Sequence, residues 1–203
     1  GVDLPYRYLS LLRLLGAGEE RYAGLAPVPG EWGPAGGVRL FRFPEGEPLQ
    51  PYLASVRFTD RNYLFGVKVA AAKTLGDGWS LSAAADARTG RDMHVEGVFT
   101  NALTAGLRLA KRFGEGHELS LLCIVPPSTR GTRLSSSEEA FSLTGDRLYN
   151  PAWGFQDGRV RNSRVRRETI PLAVVTYEVP LSPATSLTAA FGAEAGVSKY
   201  SML

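Results

Sequence analysis

The sequence is poor in the residues that build disulfide frameworks and metal centres. It has one cysteine, Cys123, and two histidines, His94 and His117, among 203 residues. A single cysteine excludes an internal disulfide and a cysteine-based zinc site, and two histidines make a histidine-rich centre unfavourable. We therefore predict no metal site and no cofactor.

Long apolar runs are also missing. No stretch approaches the roughly 18 uninterrupted apolar residues of a spanning helix. The first residues lack the basic start and apolar core of a signal peptide, so we expect either a cytosolic protein or a chain that is mature or internal to a longer one. With 21% charged residues, 44% hydrophobic residues and a net charge of +3, the chain is too apolar for disorder.

Glycine (23) and proline (13) are abundant, which favours short elements joined by turns. They are densest in residues 24–48, where we predict ordered loops around one strand at Val38–Phe43. The apolar segment 8–15 predicts a short helix that ends at Gly16 or Gly18. A packed core helix is favoured over a role at a membrane surface.

From about residue 49 onward, apolar and polar residues alternate with a period of two. This pattern predicts strands with one apolar and one polar face. One face carries Leu, Ala, Val and Phe, and the other carries Ser, Thr, Gly and charged residues. Two of the runs are apolar with a less clear facing, and Pro171 weakens the second of them as a central strand. The seven predicted strands lie near residues 52–59, 63–71, 79–86, 103–110, 118–126, 169–179 and 186–197.

The predicted connectors are short and long in turn. After DRN, the segments TLGDG, FGEGH and PLSPAT predict tight turns, whereas RTGRDMHVEGVFT and residues 127–166 are long and polar. Every second connection of an up-and-down meander lies at the same end, so the tight turns share one end and the long loops the other. This asymmetry is typical of outer-membrane barrels. A soluble antiparallel sheet with one solvated face would alternate equally well.

A seven-stranded open sheet would be unsuitable for a bilayer. Bacterial single-chain barrels have an even number of strands, and an open edge in hydrocarbon leaves backbone groups unpaired. The membrane hypothesis therefore predicts that this chain is a fragment and that further strands follow Leu203, because the alternation is still running there.

Chemical motifs are sparse. GPAGG (33–37) lacks the Lys-Ser/Thr of a phosphate loop, and GDG (76–78) indicates a hairpin turn. Asp92, His94 and Glu96 alternate as cation ligands could, but a surface loop is favoured. No combination of acid, base and nucleophile stands out, so we predict no enzyme and no catalytic residue.

Two smaller features have structural interpretations. Ser135–Ser137 ahead of Glu138 and Glu139 predicts a helix start inside the long connector, with a serine cap and acids in the first turn. Cys123 lies in an apolar strand and is most simply a small packing residue.

The most distinctive segment is LYNPAWGFQDGRVRNSRVRR, residues 148–167. Aromatic residues cluster there beside the basic run Arg159–Arg167. Arginine beside aromatic residues can bind nucleic acid. The weak net charge favours a solvated or lumen-facing stretch instead, so we predict no nucleic-acid partner.

This segment resembles a signature of large TonB-dependent outer-membrane receptors, approximately YNPxWGYQNGxxRNARV, across Tyr149–Gly158 and Arg161–Val165. Other pieces follow in the family's order: GLAPVPGEWGPAGGV resembles the end of the plug, DRNYLFGVKVAAAKTLGDGWSLSAAADART the early hairpins, VEGVF and KRFGEGHELSL later elements, and PPSTRG the start of the third long loop. The resemblance covers residues 24–203. Phe155 and Asp157 stand where Tyr and Asn are commoner.

The resemblance implies an all-β fold: an antiparallel up-and-down meander of about seven strands, part of a larger transmembrane β-barrel, with a short irregular plug remnant. Residues 1–43 would end the plug, and residues 44–203 would begin the barrel, with 127–166 as an external loop. The family's energy-coupling box, most of its plug and its later strands are absent from the sequence. The implied function is energised uptake of a nutrient, whether siderophore, glycan or peptide, in the outer membrane of a Gram-negative bacterium.

The implied partners are outer-membrane lipid, a small nutrient ligand, a surface lipoprotein, and the TonB complex through the missing N-terminal part. The rival hypothesis is a soluble β-sheet binding module that contacts polyanions through Arg159–Arg167. The residues predicted to contact a ligand or partner from the external loop are Tyr149, Asn150, Trp153, Phe155, Gln156, Arg159, Arg161 and Arg164.

Overall fold

A computed structural model describes residues 9–15, 18–22, 38–42, 52–182 and 185–201. Its helices are α1 (Leu9–Leu14) and α2 (Glu138–Thr144), and one 3-10 turn lies at Gly114–Gly116. Within the described ranges, no helix combines the length and the apolar character needed to cross a membrane.

Strands make up most of the described chain. Their bounds are β1 (Gly18–Tyr22), β2 (Val38–Arg42), β3 (Tyr52–Phe58), β4 (Phe65–Gly76), β5 (Trp79–Arg91), β6 (Phe99–Arg112), β7 (Glu118–Val125), β8 (Ser128–Gly131), β9 (Trp153–Gln156), β10 (Arg159–Asn162), β11 (Val165–Thr169), β12 (Leu172–Ser182), β13 (Thr185–Glu194) and β14 (Val197–Tyr200).

Seven of these strands form the main sheet in the order β3-β4-β5-β6-β7-β12-β13. Every neighbouring pair is antiparallel and adjacent in this order. The predicted all-β class and antiparallel meander are therefore confirmed. Several strands run further than the alternation indicated, and β5 continues to Arg91.

The two ends of this sheet differ in their connections. At the turn end, β4 and β5 are joined through Asp77 and Gly78, and β6 and β7 through Phe113–His117. At the loop end lie residues 59–64, 92–98, 126–171 and 195–201. The predicted separation of tight turns from long loops is confirmed for the described residues, and the short DRN connector shares the loop end.

The tight turn between β4 and β5 has a simple backbone explanation. Gly76, Asp77 and Gly78 all have positive φ, of 91°, 48° and 76°. Glycine adopts this region freely and aspartate tolerates it better than most residues. The sequence GDG therefore supplies the residues that the turn needs, as predicted.

The long connector contains more order than its sequence indicated. Strand β8 pairs with the start of β6 and with β11, and β11 pairs with β14. These three strands extend the sheet beyond the main meander at the loop end. Pro171, which cannot donate a ladder hydrogen bond, lies in the gap between β11 and β12.

Helix α2 begins where the serine and glutamate pattern predicted. Ser137 is its N-cap, and the Ser137 hydroxyl accepts a hydrogen bond from Ala140 N at 3.1 Å. Glu138 and Glu139 occupy the first turn, where the positive end of the helix dipole favours acids. Gly145 ends the helix in a left-handed conformation with φ of 69°.

The sheet has an outer face and an inner face, defined by the side chains that alternate along each strand. Directly paired residues share a face. Outer-face residues of the central strands are Leu81, Ala83, Ala85, Leu103, Ala105, Leu107, Leu109, Leu119, Leu121, Cys123, Ala173, Val175, Ala189 and Phe191. Inner-face residues include Lys68, Ser82, Ala84, Asp86, Thr104, Arg108, Leu122, Ile124, Leu172 and Val174.

The two faces differ in which side chains are exposed and which are buried. Phe191 is 74% exposed and Leu107 is 44% exposed on the outer face, whereas inner-face Asp86 is only 3% exposed. Ser82 and Arg108 are also buried on the inner face. The apolar side of the alternation therefore faces outward and the polar side inward.

Helix α1 packs on the inner face. Leu11, Leu12 and Leu15 are fully buried, and they form one cluster with inner-face residues Ala84, Leu122, Ile124, Leu172 and Val174. Each buried leucine contributes roughly 1.5–3 kcal/mol of burial energy. The prediction of a core helix in residues 8–15 is confirmed.

A separate two-stranded sheet joins β1 and β2, with Gly18 opposite Arg42. The predicted strand at Val38–Phe43 is thus observed as Val38–Arg42, whereas β1 was not predicted. The loops predicted around this strand lie mostly outside the described residues.

Candidate functional site at the loop end

The residues of the distinctive segment are distributed over one hairpin and its flanks. Trp153 and Phe155 lie on β9, and Arg159 and Arg161 lie on β10. The hairpin turns at Asp157 and Gly158, whose φ angles are 51° and 69°. The dipeptide Asp-Gly suits such a turn, which pairs Gln156 with Arg159.

Asn150 anchors this segment from beneath. Its side chain is fully buried. Its Oδ1 accepts hydrogen bonds from Leu134 N at 3.0 Å and Ala152 N at 3.1 Å. Its Nδ2 donates to the carbonyl of Glu96 at 2.9 Å. One asparagine therefore joins three parts of the loop end and satisfies backbone groups that would otherwise be costly to bury.

Asn162 makes a second anchor of the same kind. Its Nδ2 donates to Gly97 O at 2.8 Å and to Thr132 O at 3.0 Å, and its Oδ1 accepts from Arg164 N at 2.7 Å. Asn162 was not among the predicted site residues. Its place in the RN pair of the resembling motif was the available signal.

Gly97 completes the contact between the two loops. Its φ is +75°, and a Cβ there would overlap the Cβ of Trp153. Trp153 in turn stacks edge-on with Phe155, with ring centroids 5.5 Å apart at 70°. The hairpin is thus fixed to residues 92–98 by two asparagines and one glycine.

The predicted contact residues differ in how much of them is accessible. Phe155, Gln156, Arg159 and Arg161 are exposed; Tyr149, Trp153 and Arg164 are half-buried; and Asn150 is buried. The hydrogen bonds of Asn150 assign it a structural role in this conformation. The ligand or partner contact of the remaining residues stays a prediction.

A cleft of about 300 Å³ separates the hairpin from the main sheet. Thr89 and Arg91 of β5, Phe99 and Asn101 of β6, and Arg161 of β10 contribute to its lining. Thr89 Oγ1 donates to Asn101 Oδ1 at 2.7 Å within it. The lining combines two cations with hydrogen-bonding groups, which is a chemistry suited to an anion.

The connectors at 59–64 and 92–98 are joined by carboxylates. His94 Nε2 lies 2.8 Å from Asp60 Oδ2, and this hydrogen bond lowers the pKa of the exposed Asp60 carboxyl. Burial alone would raise the pKa of Asp92, but backbone N–H donors from Asn62, His94 and Val95 lower it below its ordinary value.

Asp92, His94 and Glu96 were weak candidates for cation ligands, and the structure shows what the Asp92 carboxylate contacts. The Asp92 carboxylate is occupied by backbone donors at 2.7 to 3.0 Å. Across the ranges that the structure covers, no three His, Cys, Asp or Glu side chains come together as metal ligands.

The inner face carries its own ion pairs. Asp86 is 2.8 Å from Arg88 Nη2 and 3.7 Å from Lys68 Nζ. Nearer the turn end, Glu118 pairs with Arg108 and, at 2.8 Å, with Arg112. Because each charge has a partner of opposite sign, these side chains can lie on a partly buried surface, where an unpaired charge would be costly.

Comparison of the chain with protein-family models, curated proteins and solved structures found no match.

Proposed function

We propose that the chain is part of a TonB-dependent outer-membrane receptor, comprising the end of its plug and its first barrel strands, and that the receptor takes up a nutrient. The resemblance around Tyr149–Val165 motivates the family. The distribution of apolar and polar side chains on the sheet supports the membrane part of the proposal, and it is the observation that carries it.

The outer face has the composition of a lipid-facing surface. Its central rows are aliphatic and range from half-buried to exposed, and water would make such a continuous surface unfavourable. From Trp79 to Thr89, β5 rises about 33 Å at roughly 3.3 Å per residue. At a strand tilt of about 40° this is roughly 25 Å of height, the apolar band of an outer-membrane barrel.

The turn-end border of this band supports the same proposal. Trp79 and Tyr177 lie on the outer face there, and Lys111 Nζ lies 5.1 Å above the Trp79 ring. Tryptophan and tyrosine favour the membrane–water boundary. A lysine can keep its apolar stem at this boundary while its charged end reaches water.

The inner face also supports the proposal, because its charged side chains suit a hydrated passage that a plug segment partly fills. Asp86, Arg88, Arg108 and Glu118 present charges to this side. Helix α1 covers its apolar middle, as a plug remnant within a barrel would.

The natural single cysteine gives a direct test of the membrane orientation. Cys123 lies on the outer face between Leu107 and Ala173 in the ladder. A nitroxide attached there should be relaxed strongly by oxygen, which concentrates in hydrocarbon, and weakly by a water-soluble nickel chelate. The measurement is power-saturation EPR, in phosphatidylcholine vesicles, of the receptor that contains this chain, with the label at Cys123 alone.

A matched control uses the inner face of the same strand. In a Cys123→Ser, Ser120→Cys variant, the nitroxide should respond to the nickel chelate more than to oxygen. If Cys123 is instead accessible to the chelate, or shielded from both reagents in vesicle-free buffer, the soluble polyanion-binding module is the better description.

Uptake needs a test in cells. A strain without the gene should lose uptake of one nutrient class, and loss of TonB should remove the same uptake. A panel of siderophores, glycans and peptides identifies the class. The transport proposal fails when no uptake depends on both proteins.

A further inference from the structure

One transverse row of the sheet marks a sudden change on the outer face. We call the boundary row the side chains in direct register at Phe58, Phe65, Thr89, Asn101, Thr129, Arg167 and Lys199. The row one step nearer the turn end is aliphatic on β3 to β6, at Val56, Val67, Ala87 and Leu103, and it carries Thr169 opposite Val197 in the β11–β14 ladder. The outer face thus passes from aliphatic to aromatic, hydrogen-bonding and cationic groups within one step.

The boundary row ends in two neighbouring cations. Arg167 and Lys199 are directly opposite in the β11–β14 ladder, and both are exposed. Like charges in this arrangement repel and destabilise a sheet. Neither has a carboxylate partner among the salt bridges of the described chain. An anion bound between them would remove the repulsion.

Two further cations border the same surface. Arg91 lies one step beyond Thr89 on the outer face of β5, and Arg161 lines the same cleft. Both guanidinium groups lack an acidic partner in the described ranges. A guanidinium forms paired hydrogen bonds to phosphate oxygens, and Thr89 and Asn101 in the same lining offer additional polar groups.

The position of these cations selects the kind of anion. Arg91, Arg167 and Lys199 lie on the outer face, beyond the aliphatic rows, and not on the inner face where a transported solute would pass. Arg161 lines the same cleft as Arg91. If the outer face is lipid-facing, as the proposed function requires, this is the height of lipid headgroups. A phosphate attached to an acyl-chain lipid would reach the cations while its chains cover the aliphatic rows.

We infer that the boundary row and the adjoining cleft bind the phosphate groups of anionic membrane lipids in the loop-end leaflet. The site comprises Arg91 and Arg161 at the cleft and Arg167 and Lys199 at the row's end. This inference rests on the proposed membrane orientation and adds a specific lipid class to it.

The test measures which lipid the protein retains. The receptor that contains this chain is placed in vesicles of equal phosphatidylglycerol and phosphatidylcholine, extracted gently with detergent, and examined by native mass spectrometry. We expect retained phosphatidylglycerol to exceed phosphatidylcholine, and high salt during extraction to reduce the excess, because ionic screening weakens exposed charge interactions.

Two double variants locate the site: Arg91→Gln with Arg161→Gln, and Arg167→Gln with Lys199→Gln. Each should lower the ratio of retained phosphatidylglycerol to phosphatidylcholine by about fivefold or more, since each cation near a membrane surface is worth roughly a fivefold preference. All four side chains are exposed, so resistance to chymotrypsin, whose aromatic and leucine sites are unchanged, should remain that of the unmodified protein.

A matched control removes the same charge elsewhere at the loop end. Arg61→Gln with Arg147→Gln changes two exposed arginines outside the boundary row and the cleft. Its retained lipid ratio should stay within about twofold of the unmodified protein. A loss as large as that of the site variants would mean a general charge effect and would overturn the inference.

Two other outcomes also overturn it. Equal retention of the two lipids by the unmodified protein would mean that the row has no preference for lipid phosphate. Complete displacement by excess glycerol phosphate would assign the cleft to a free phosphate ester.

The Cys123 measurement in phosphatidylcholine vesicles separates failure of the inference from failure of the proposed function. A protein that inserts there but shows no lipid preference refutes only the lipid site. Lack of insertion refutes the proposed function and removes the basis of the lipid site as well.

Discussion

The two faces of the main sheet arise from the same alternation of residues, but they differ in which side chains are buried. On the outer face, Leu107 and Phe191 remain exposed, whereas on the inner face Asp86 and Ser82 are buried. The apolar cluster of the inner face that includes Leu122, Ile124 and Leu172 lies beneath α1. The comparison shows that alternation alone does not reveal which side of a strand faces solvent.

The cause lies in what covers each face. Ion pairs around Asp86 and Glu118 satisfy the charges of the inner face, and three leucines of α1 cover its aliphatic part. No comparable cover occurs on the outer face within the described residues. An exposed apolar face of this size is unfavourable in water and favourable in lipid, so a charge placed on each face gives the strongest test.

The largest effect is expected from an arginine on the outer face. Ala105→Arg would place a charge in the middle of the aliphatic rows, where Val125 and Ala85 are its ladder neighbours. In a bilayer it should lower the free energy of unfolding by about 2–4 kcal/mol. Guanidinium unfolding of the protein from phosphatidylcholine vesicles measures this.

The adjacent inner-face residue is the control. Thr104→Arg lies next to Asp86 in the ladder and should cost less than about 1 kcal/mol, because a charge there meets other charges and water. A neutral Ala105→Arg would contradict a lipid-facing outer face, since an exposed alanine in water tolerates arginine.

The next largest effect concerns the anchor at the loop end. Asn150→Ala would remove three hydrogen bonds and leave buried backbone groups without partners, at a cost of about 1–3 kcal/mol. The loop, rather than the main sheet, should loosen. Hydrogen exchange of residues 127–166 should accelerate while that of β5 and β6 stays unchanged.

The exposed Gln156 on the same segment is the matched control. Gln156→Ala should leave exchange of the loop as it was, because Gln156 is exposed on the hairpin. Equal acceleration in both variants would mean that Asn150 has no special anchoring role.

The next prediction concerns a smaller loss of stability, of about 1–2 kcal/mol. It distinguishes the cost of a strained backbone from the cost of steric overlap. Gly97 and Gly158 both have positive φ, at 75° and 69°, but only Gly97 has a neighbour, Trp153, within reach of an added Cβ. Gly158→Ala should therefore cost about 1 kcal/mol of strain, and Gly97→Ala should cost more. Hydrogen exchange of the β9–β10 hairpin is measured in both variants. If the two substitutions change the exchange rate equally, the Trp153 contact does not fix the hairpin.

Much of this sheet could be predicted because its information is local. Alternation from Tyr52 onward, the GDG turn and the Ser137 cap depend on neighbouring residues, so the meander, its tight turns and α2 follow from the sequence. The anchor residues are harder, because Asn150 and Asn162 act across 54 and 65 positions of the chain. The short strands β8, β11 and β14 also depend on distant partners and have little pattern of their own.

The smallest expected effect tests how the connectors at the loop end hold together at low pH. The pKa of Asp60 and that of Asp92 both lie below the ordinary value of 3.8, so the folded state favours their charged forms. The contribution is present above pH 3.8 and is lost as the pH falls through the lower folded-state values. The protection of the Asn62, His94 and Val95 amides relative to their intrinsic exchange rates should fall over that range, while that of the outer-face rows remains unaffected. An Asp92→Asn variant should lose most of this pH dependence at the three amides, and a response that persists in the variant would assign the change to other groups.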